Sequence, residues 1–248
     1  MAIKGLYDCF NQWHLCGGTV WIISDTHFGD KELQKGIPNR PNDEELVKLI
    51  NSKVGRKDTL IILGDIGDIS YVRQLRGYKV LIAGNHDKGL SQYKRERIVL
   101  PIYQKECATK QEAIALAKNR YKNYNVVACD NNIYSEFFPS LDRWNITLDN
   151  GLFDEVYSGP LMVGEKLLFS HERVEVPWAF NIHGHDHKFT SKDPFHLNVC
   201  SDVIGYLPVN LNRLMKNGLT SKVQSIHRET INNATIRKRK REKKSKNV

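Results

Sequence analysis

Val20-Trp21-Ile22-Ile23-Ser24-Asp25-Thr26-His27 runs from four apolar residues directly into a hydroxyl, a carboxylate and an imidazole. A short run that is apolar at every position reads as a strand buried on both faces. The polar residues then fall just beyond its carboxyl end, where open α/β sheets bind their ligands. The pattern recurs downstream. Thr59-Leu60-Ile61-Ile62-Leu63 leads into Gly64-Asp65, Lys79-Val80-Leu81-Ile82-Ala83 into Gly84-Asn85-His86-Asp87, and Lys166-Leu167-Leu168-Phe169 into Ser170-His171. A fifth polar segment, His183-Gly184-His185-Asp186-His187, completes the set. Five loops at strand ends are expected to converge on one crevice.

Between the first two strands, Asp43 to Lys53 places Leu46, Leu49 and Ile50 on one helical face, with acids in the first turn and Asn42 as a cap. Strand, helix, strand opens an α/β fold. From about residue 90 to 165 the pattern loosens, and this segment is expected to be an insertion, either a cap over the site or a peripheral extension. One helix stands out in it. Thr109 and Glu112 form a capping-box pair ahead of Ile114, Ala117, Tyr121 and Tyr124 on one face, with Lys118, Arg120 and Lys122 read as solvated. Turn residues at Asn131, Asn150-Gly151 and Ser158-Gly159-Pro160 separate short strand-like pieces.

A chain of 248 residues, 40% hydrophobic, can bury one sizeable core. The expected organisation is an N-terminal extension over 1–19, a catalytic domain over 20–231 and a disordered basic tail over 232–248. The net charge of +9 is concentrated at one end. Residues 237–248 hold eight of the 37 Lys and Arg and one of the 28 acids, so they carry +7 and leave only +2 for the rest. A nearly neutral body argues against broad duplex binding, which draws its affinity from many phosphate contacts, while the tail keeps a nucleic-acid tether open. No apolar run is long enough to span a bilayer, and the start lacks a signal peptide's apolar core. A cytoplasmic protein is expected, with no membrane partner. Five scattered cysteines, Cys9, Cys16, Cys107, Cys129 and Cys200, read as reduced thiols, and Cys9, His14 and Cys16 make too few ligands for a structural zinc site.

Carboxylates and imidazoles without a thiolate suit manganese, iron or zinc. In Asp25-Thr26-His27 and His185-Asp186-His187 the candidate ligands are two apart, so an extended backbone is expected to turn both to one side.

The ordered series DxH, GD, GNHD, a lone His and GHxH resembles the calcineurin-like metallophosphoesterases, in particular the small stand-alone bacterial and phage members. Arg40-Pro41, the Gly77-to-Ile82 strand, Asn198-Val199 and Asp202-Val203 extend the similarity. The resemblance implies a four-layer αββα sandwich of two mixed β-sheets flanked by helices. It implies two divalent ions, with manganese favoured and iron or zinc as alternatives. Asp25, His27 and His187 would hold one ion, Asn85, His171 and His185 the other, and Asp65 would bridge them. His86 would act at the leaving oxygen, with Asp87 orienting it. The implied reaction is hydrolysis of a phosphodiester, or less favourably a phosphomonoester, of a nucleotide or nucleic-acid end by in-line attack of a metal-bridging hydroxide. The alternatives are a catalytically silent binding module of this fold, or a nucleic-acid adaptor acting through the basic tail.

His183 points by alternation with His185 and His187, but contact behind the ligands or packing competes with ligation and it is left out of the ligand set, while His14, His196 and His227 are assigned structural or surface roles. Trp13, Trp21, Trp144 and Trp178 are assigned to packing. Arg40 reads equally as a phosphate grip or a salt bridge, and Arg173 as a weaker phosphate candidate. The family pattern is departed from at Asp30, at His171-Glu172-Arg173, in the long segment after Asp87 and in the tail. These changes bear on substrate choice, since scaffold and ligands are kept.

Overall fold

The computed structural model describes residues 18–132, 142–191, 193–224 and 232–239. In chain order the elements are β1 (Val20–Ile23), α1 (Lys31–Gly36), α2 (Asp43–Lys53), β2 (Thr59–Ile62), β3 (Tyr78–Ile82), β4 (Arg97–Tyr103), α3 (Lys110–Arg120), β5 (Asn125–Asn132), β6 (Arg143–Asp149), β7 (Glu155–Tyr157), β8 (Leu161–Val163), β9 (Leu167–Phe169), β10 (Phe180–His183), β11 (His196–Asn198), β12 (Val209–Asn210) and α4 (Leu211–Lys216). Short 3-10 turns occupy Tyr71–Gln74 and Leu90–Tyr93.

Two mixed sheets form the sandwich. The first has the order β12-β1-β2-β3-β7 and the second β11-β10-β9-β8. Only β12 in the first and β8 in the second run antiparallel to their neighbours. Alternation along each strand decides what is buried where. Ile22, Ile61, Val80 and Ile82 of the first sheet meet Val163, Leu167, Phe169 and Ile182 of the second. The other face of the first sheet, through Leu60, Ile62 and Leu81, packs on Leu46, Val47 and Ile50 of α2. Both faces of the central strands are therefore covered, as their unbroken apolar runs require. The capping box on α2 is complete, with Asn42 Oδ1 accepting from Glu45 N–H at 2.9 Å and Glu45 Oε2 accepting from Asn42 N–H at 3.2 Å. At the second sheet Val174 N–H donates to Asn181 Oδ1 of β10 at 2.9 Å, and Val174 O lies 3.2 Å from His196 Nε2 of β11.

Lys79 departs from the apolar reading of its strand. It is buried, and its ammonium donates to the carbonyls of Val72 (3.0 Å), Leu75 (3.3 Å) and Gly151 (2.5 Å). Burial pushes its pKa down to about 8.

A third sheet, antiparallel in the order β4-β6-β5, carries α3 on one face around Ile102, Ala113, Ala117, Ile146 and Leu148. The expected insertion over 90–165 is therefore too wide. Leu152 and Phe153 belong to the main core, and β7 and β8 are strands of the sandwich. The separate unit runs from β4 to β6. It is tied to the body where Arg73 Nη1 donates to Asn123 Oδ1 at 3.2 Å and where Arg95 bridges Asp149 and Asp154.

The expected N-terminal extension lies outside the described residues up to residue 17, as do His227 and residues 240–248 of the tail. Residues 232–239 are helical and exposed where the sequence reading expected disorder. Among the described residues no helix is long and apolar enough to cross a membrane.

Candidate metal centre

All five polar segments meet at one end of the sandwich. Asp25, Asp65 and Asn85 follow β1, β2 and β3 of the first sheet, while His171 follows β9 and His185 and His187 follow β10 of the second. Asp25, Asp65 and His171 form a buried floor, and Asn85, His86 and His185 stand exposed around it.

The donor atoms fall into two groups, Asp25 with His27 and His187, and Asp65 with His171 and His185. Asp25 Oδ1 lies 4.0 Å from His27 Nε2 and 3.8 Å from His187 Nε2. His171 Nε2 lies 3.0 Å from His185 Nδ1 and 2.9 Å from Asn85 Oδ1. Asp65 Oδ2 stands between the groups, 3.6 Å from His27 Nε2 and 3.3 Å from His171 Nε2. Two donors each about 2.0–2.2 Å from a tetrahedral ion stand roughly 3.4 Å apart, so these spacings suit shared ions. Asp25 Oδ1 and His27 Nε2 are moreover buried with no hydrogen-bond partner. Such atoms are costly unless a ligand completes them, and a divalent cation does so.

The backbone arrives here differently from the extended chain that residue spacing suggested. Asp25, His27, Asp65 and His185 all adopt positive φ, at 56°, 42°, 51° and 70°. Left-handed, non-glycine residues cost free energy and cluster at functional sites. The DxH and HxH pairs therefore converge through left-handed turns, where alternation along a strand was expected. The motif glycines give clearance. A Cβ on Gly184 would stand 2.0 Å from Ser24 Oγ and 2.3 Å from Asp25 Oδ2, and one on Gly64 would stand 2.4 Å from Gly84 N.

Protein groups around the donors fix their orientation. His171 Nδ1 faces Leu63 O at 2.8 Å, which leaves Nε2 toward Asp65. His187 Nδ1 lies 2.6 Å from Asp202 Oδ2, and Arg40, whose side chain is 2% exposed, lies 2.5 Å from Asp202. Arg40 also donates to Thr26 O at 2.8 Å. It thus serves the salt-bridge reading, and Asp202, which the sequence placed only within the family resemblance, is the residue that supports His187. Hydrogen bonding from Asp202 raises the pKa of His187 despite burial. Burial alone would push His171 down, but the Asp65 and Asp25 carboxylates and the Leu63 carbonyl lift it to about 9. Burial lowers His27. For Asp65, burial acts upward and is outweighed by hydrogen bonds from His171 and the His86 amide, leaving its pKa lowered.

His86 sits at the open side. Its ring is 69% exposed, with Nε2 4.0 Å from Asp65 Oδ2, and its N–H donates to Asp65 Oδ1 at 3.0 Å. Asp87 does not orient the His86 ring as expected. Its carboxylate accepts the backbone N–H groups of Asp65, Gly84 and Ile66 at 2.8, 2.8 and 3.1 Å. Asp30 caps α1 by accepting from Glu32 and Leu33 N–H. His183 lies apart from the donor groups, with Nε2 2.9 Å from Ser191 Oγ, and His196 packs against Asp193. Arg173 pairs with Glu175 and Asp193. Trp21 and Trp144 donate to Asp58 and Cys107 O, consistent with packing, whereas Trp178 is 38% exposed. A third group, His187, Cys200 and Asp202, also lies close together. Burial drives the Cys200 thiol above its ordinary range.

The model of the calcineurin-like phosphoesterase family matches residues 18–210, and the chain belongs to that family. Its members are generally metal-dependent phosphoesterases. The Gene 66 protein of Mycobacterium phage L5 is 38% identical over 82 residues, covering 27% of this chain and 39% of the phage protein. A crystal structure of AQ665 from Aquifex aeolicus, a protein of unknown function, aligns with a TM-score of 0.47 and 18% identity over 81% of this chain and 99% of that one.

Proposed function

We propose that the protein is a dinuclear metal-dependent phosphoesterase, with phosphodiesters favoured over phosphomonoesters and a nucleotide or nucleic-acid end as the substrate class. The observation that carries this reading is the position of Asp65 Oδ2 between the two donor groups. A carboxylate shared there would hold two ions as a pair. Asp25, His27 and His187 would hold one ion, and Asn85, His171 and His185 the other. When bound, two divalent ions supply Lewis acidity, polarising a water and the phosphoryl oxygens for in-line displacement. Manganese is the favoured metal, with iron or zinc accepted by the same donors.

The protein's own groups do the rest. His86, exposed at the rim and braced by its amide on Asp65, faces the ester and delivers a proton to the leaving oxygen. Asp202 keeps His187 Nδ1 engaged so that Nε2 faces the donor group. The +7 charge of residues 237–248 suits an acidic partner such as nucleic acid, and the free thiols of Cys107 and Cys200 suit a cytoplasmic setting.

The test is hydrolysis of bis-p-nitrophenyl phosphate and p-nitrophenyl phosphate by metal-stripped protein with manganese, zinc, iron or magnesium restored. Turnover that depends on added metal and is lost in His86→Gln supports the enzyme. Stoichiometric metal binding without turnover would overturn it in favour of a silent binding module.

A further inference from the structure

A cleft of 450 Å³ opens beside the candidate metal centre and shares His185 with it. Its described walls include Arg173, Asp186, Phe189, Ser191 and Asp193. The volume falls in the range of sites for organic ligands. Phe189 is 62% exposed at this cleft. A lone exposed apolar residue is ordinary on a protein surface, but this one sits on a braced loop. Asn198, buried at 2% exposure, donates from Nδ2 to Asp186 O at 2.6 Å and to Phe189 O at 2.9 Å. Asp186 Oδ1 accepts the amides of Lys188 and Phe189 at 2.9 and 3.2 Å. The backbone of Phe189 is thus held at both its N–H and its C=O, and the ring is presented to solvent in advance of any contact.

The charges on the walls narrow what the cleft would take. Arg173 is the one lysine or arginine among the described lining residues, and Glu175 and Asp193 already hold it, at 2.6 and 3.1 Å. Among the described lining residues, no other lysine or arginine stands ready for a second phosphate. A flat, uncharged group would find an aromatic face, with the Ser191 hydroxyl and the Asp186 and Asp193 carboxylates as polar neighbours.

The geometry points to a subsite for the organic part of the ester, in which a planar, uncharged ring such as a nucleobase stacks on Phe189 while the phosphate lies at the donor groups. This rests on the phosphoesterase reading and its nucleotide substrate class, and adds the residue that recognises the base. Phe189 acts here as a specificity residue outside the chemistry itself.

The test uses the full chain loaded with manganese and the phosphonate analogues of adenosine 5′-monophosphate and ribose 5-phosphate, whose P–C bond is not hydrolysed. Calorimetric titration is expected to show the adenosine compound binding about tenfold or more tighter, as base–aromatic stacking gives. Phe189→Ala should remove that preference without changing the ribose affinity, and Phe189→Tyr should keep it. Equal binding of the two compounds, a preference that survives Phe189→Ala, or no binding of either would overturn the subsite. Turnover of bis-p-nitrophenyl phosphate by the same samples reports separately on the phosphoesterase reading.

Discussion

Asp87 Oδ2 accepts the backbone N–H of Asp65 at 2.8 Å, and the same oxygen accepts the N–H of Gly84 at 2.8 Å. One buried carboxylate thereby joins the loops that carry Asp65 and Asn85, and its other oxygen takes Ile66 N–H. Asp87→Asn keeps the size but leaves one acceptor oxygen for three amides. We expect it to destabilise the metal-free protein by about 2 kcal/mol, the scale for losing hydrogen bonds to a charged group. Urea denaturation in chelator measures this, and an unchanged midpoint would show that the carboxylate is dispensable.

Asp65→Asn and His86→Gln should separate holding metal from turning over substrate. The first removes the carboxylate shared by both groups and is expected to lose metal and activity together. The second should retain metal and lose roughly 10²-fold or more in kcat, the scale of a proton donor. Metal analysis beside steady-state kinetics distinguishes them. Full activity in Asp65→Asn would end the two-metal reading.

Asp202→Asn tests support at one remove from the donors. It leaves every proposed ligand in place but weakens the grip on His187 Nδ1 and leaves Arg40 buried beside a neutral amide. Metal affinity should fall about 10- to 100-fold, as for other groups that orient histidine ligands. Competition with a chelator of known affinity gives the number, and an unaltered affinity would limit Asp202 to packing.

Asp149 predicts a pH dependence at the joint of the three-stranded unit. Burial pushes its carboxyl up, but Arg95, Arg97 and the Gly151 amide outweigh it and bring the pKa down to about 2 from 3.8. A folded pKa below the unfolded one gives stability that is present above 3.8 and lost as pH falls through about 2. Asp149→Asn should therefore cost about 2 kcal/mol at neutral pH. Wild type and variant should converge as pH drops through that window, which melts recorded across pH will check. A gap that stays constant to pH 2 would remove the ionic explanation.

Local patterns carried much of the reading. The runs before Ser24, Gly64, Gly84 and Ser170 are strands β1, β2, β3 and β9, because an unbroken apolar run needs cover on both faces and the sandwich supplies it. The expected Asn42 cap and the expected Thr109–Glu112 capping box both formed, since the side chain and amide that make them lie three residues apart. What stayed hidden depends on distance in the chain. Asp202 reaches His187 across fifteen positions that share no periodicity. β7 and β8 are three residues each, too short for a periodicity to show, and β7 pairs with β3 far upstream in the chain, so the insertion was drawn too wide. The left-handed turns at Asp25, His27, Asp65 and His185 fall on residue types that tolerate positive φ better than most, but local preference does not say which Asp and His adopt it.

The proposed ligands come from both sheets, Asp25, His27, Asp65 and Asn85 from one and His171, His185 and His187 from the other. A filled centre would therefore rivet the two halves of the sandwich at one end. Shear between the sheets would have to break coordination bonds as well as slide apolar side chains. Loaded protein should resist pulling across the sheets as a single mechanical body, and chelation should let that end of the sandwich open first. The cofactor of such a centre would be a fastener of the fold as well as an agent of its chemistry.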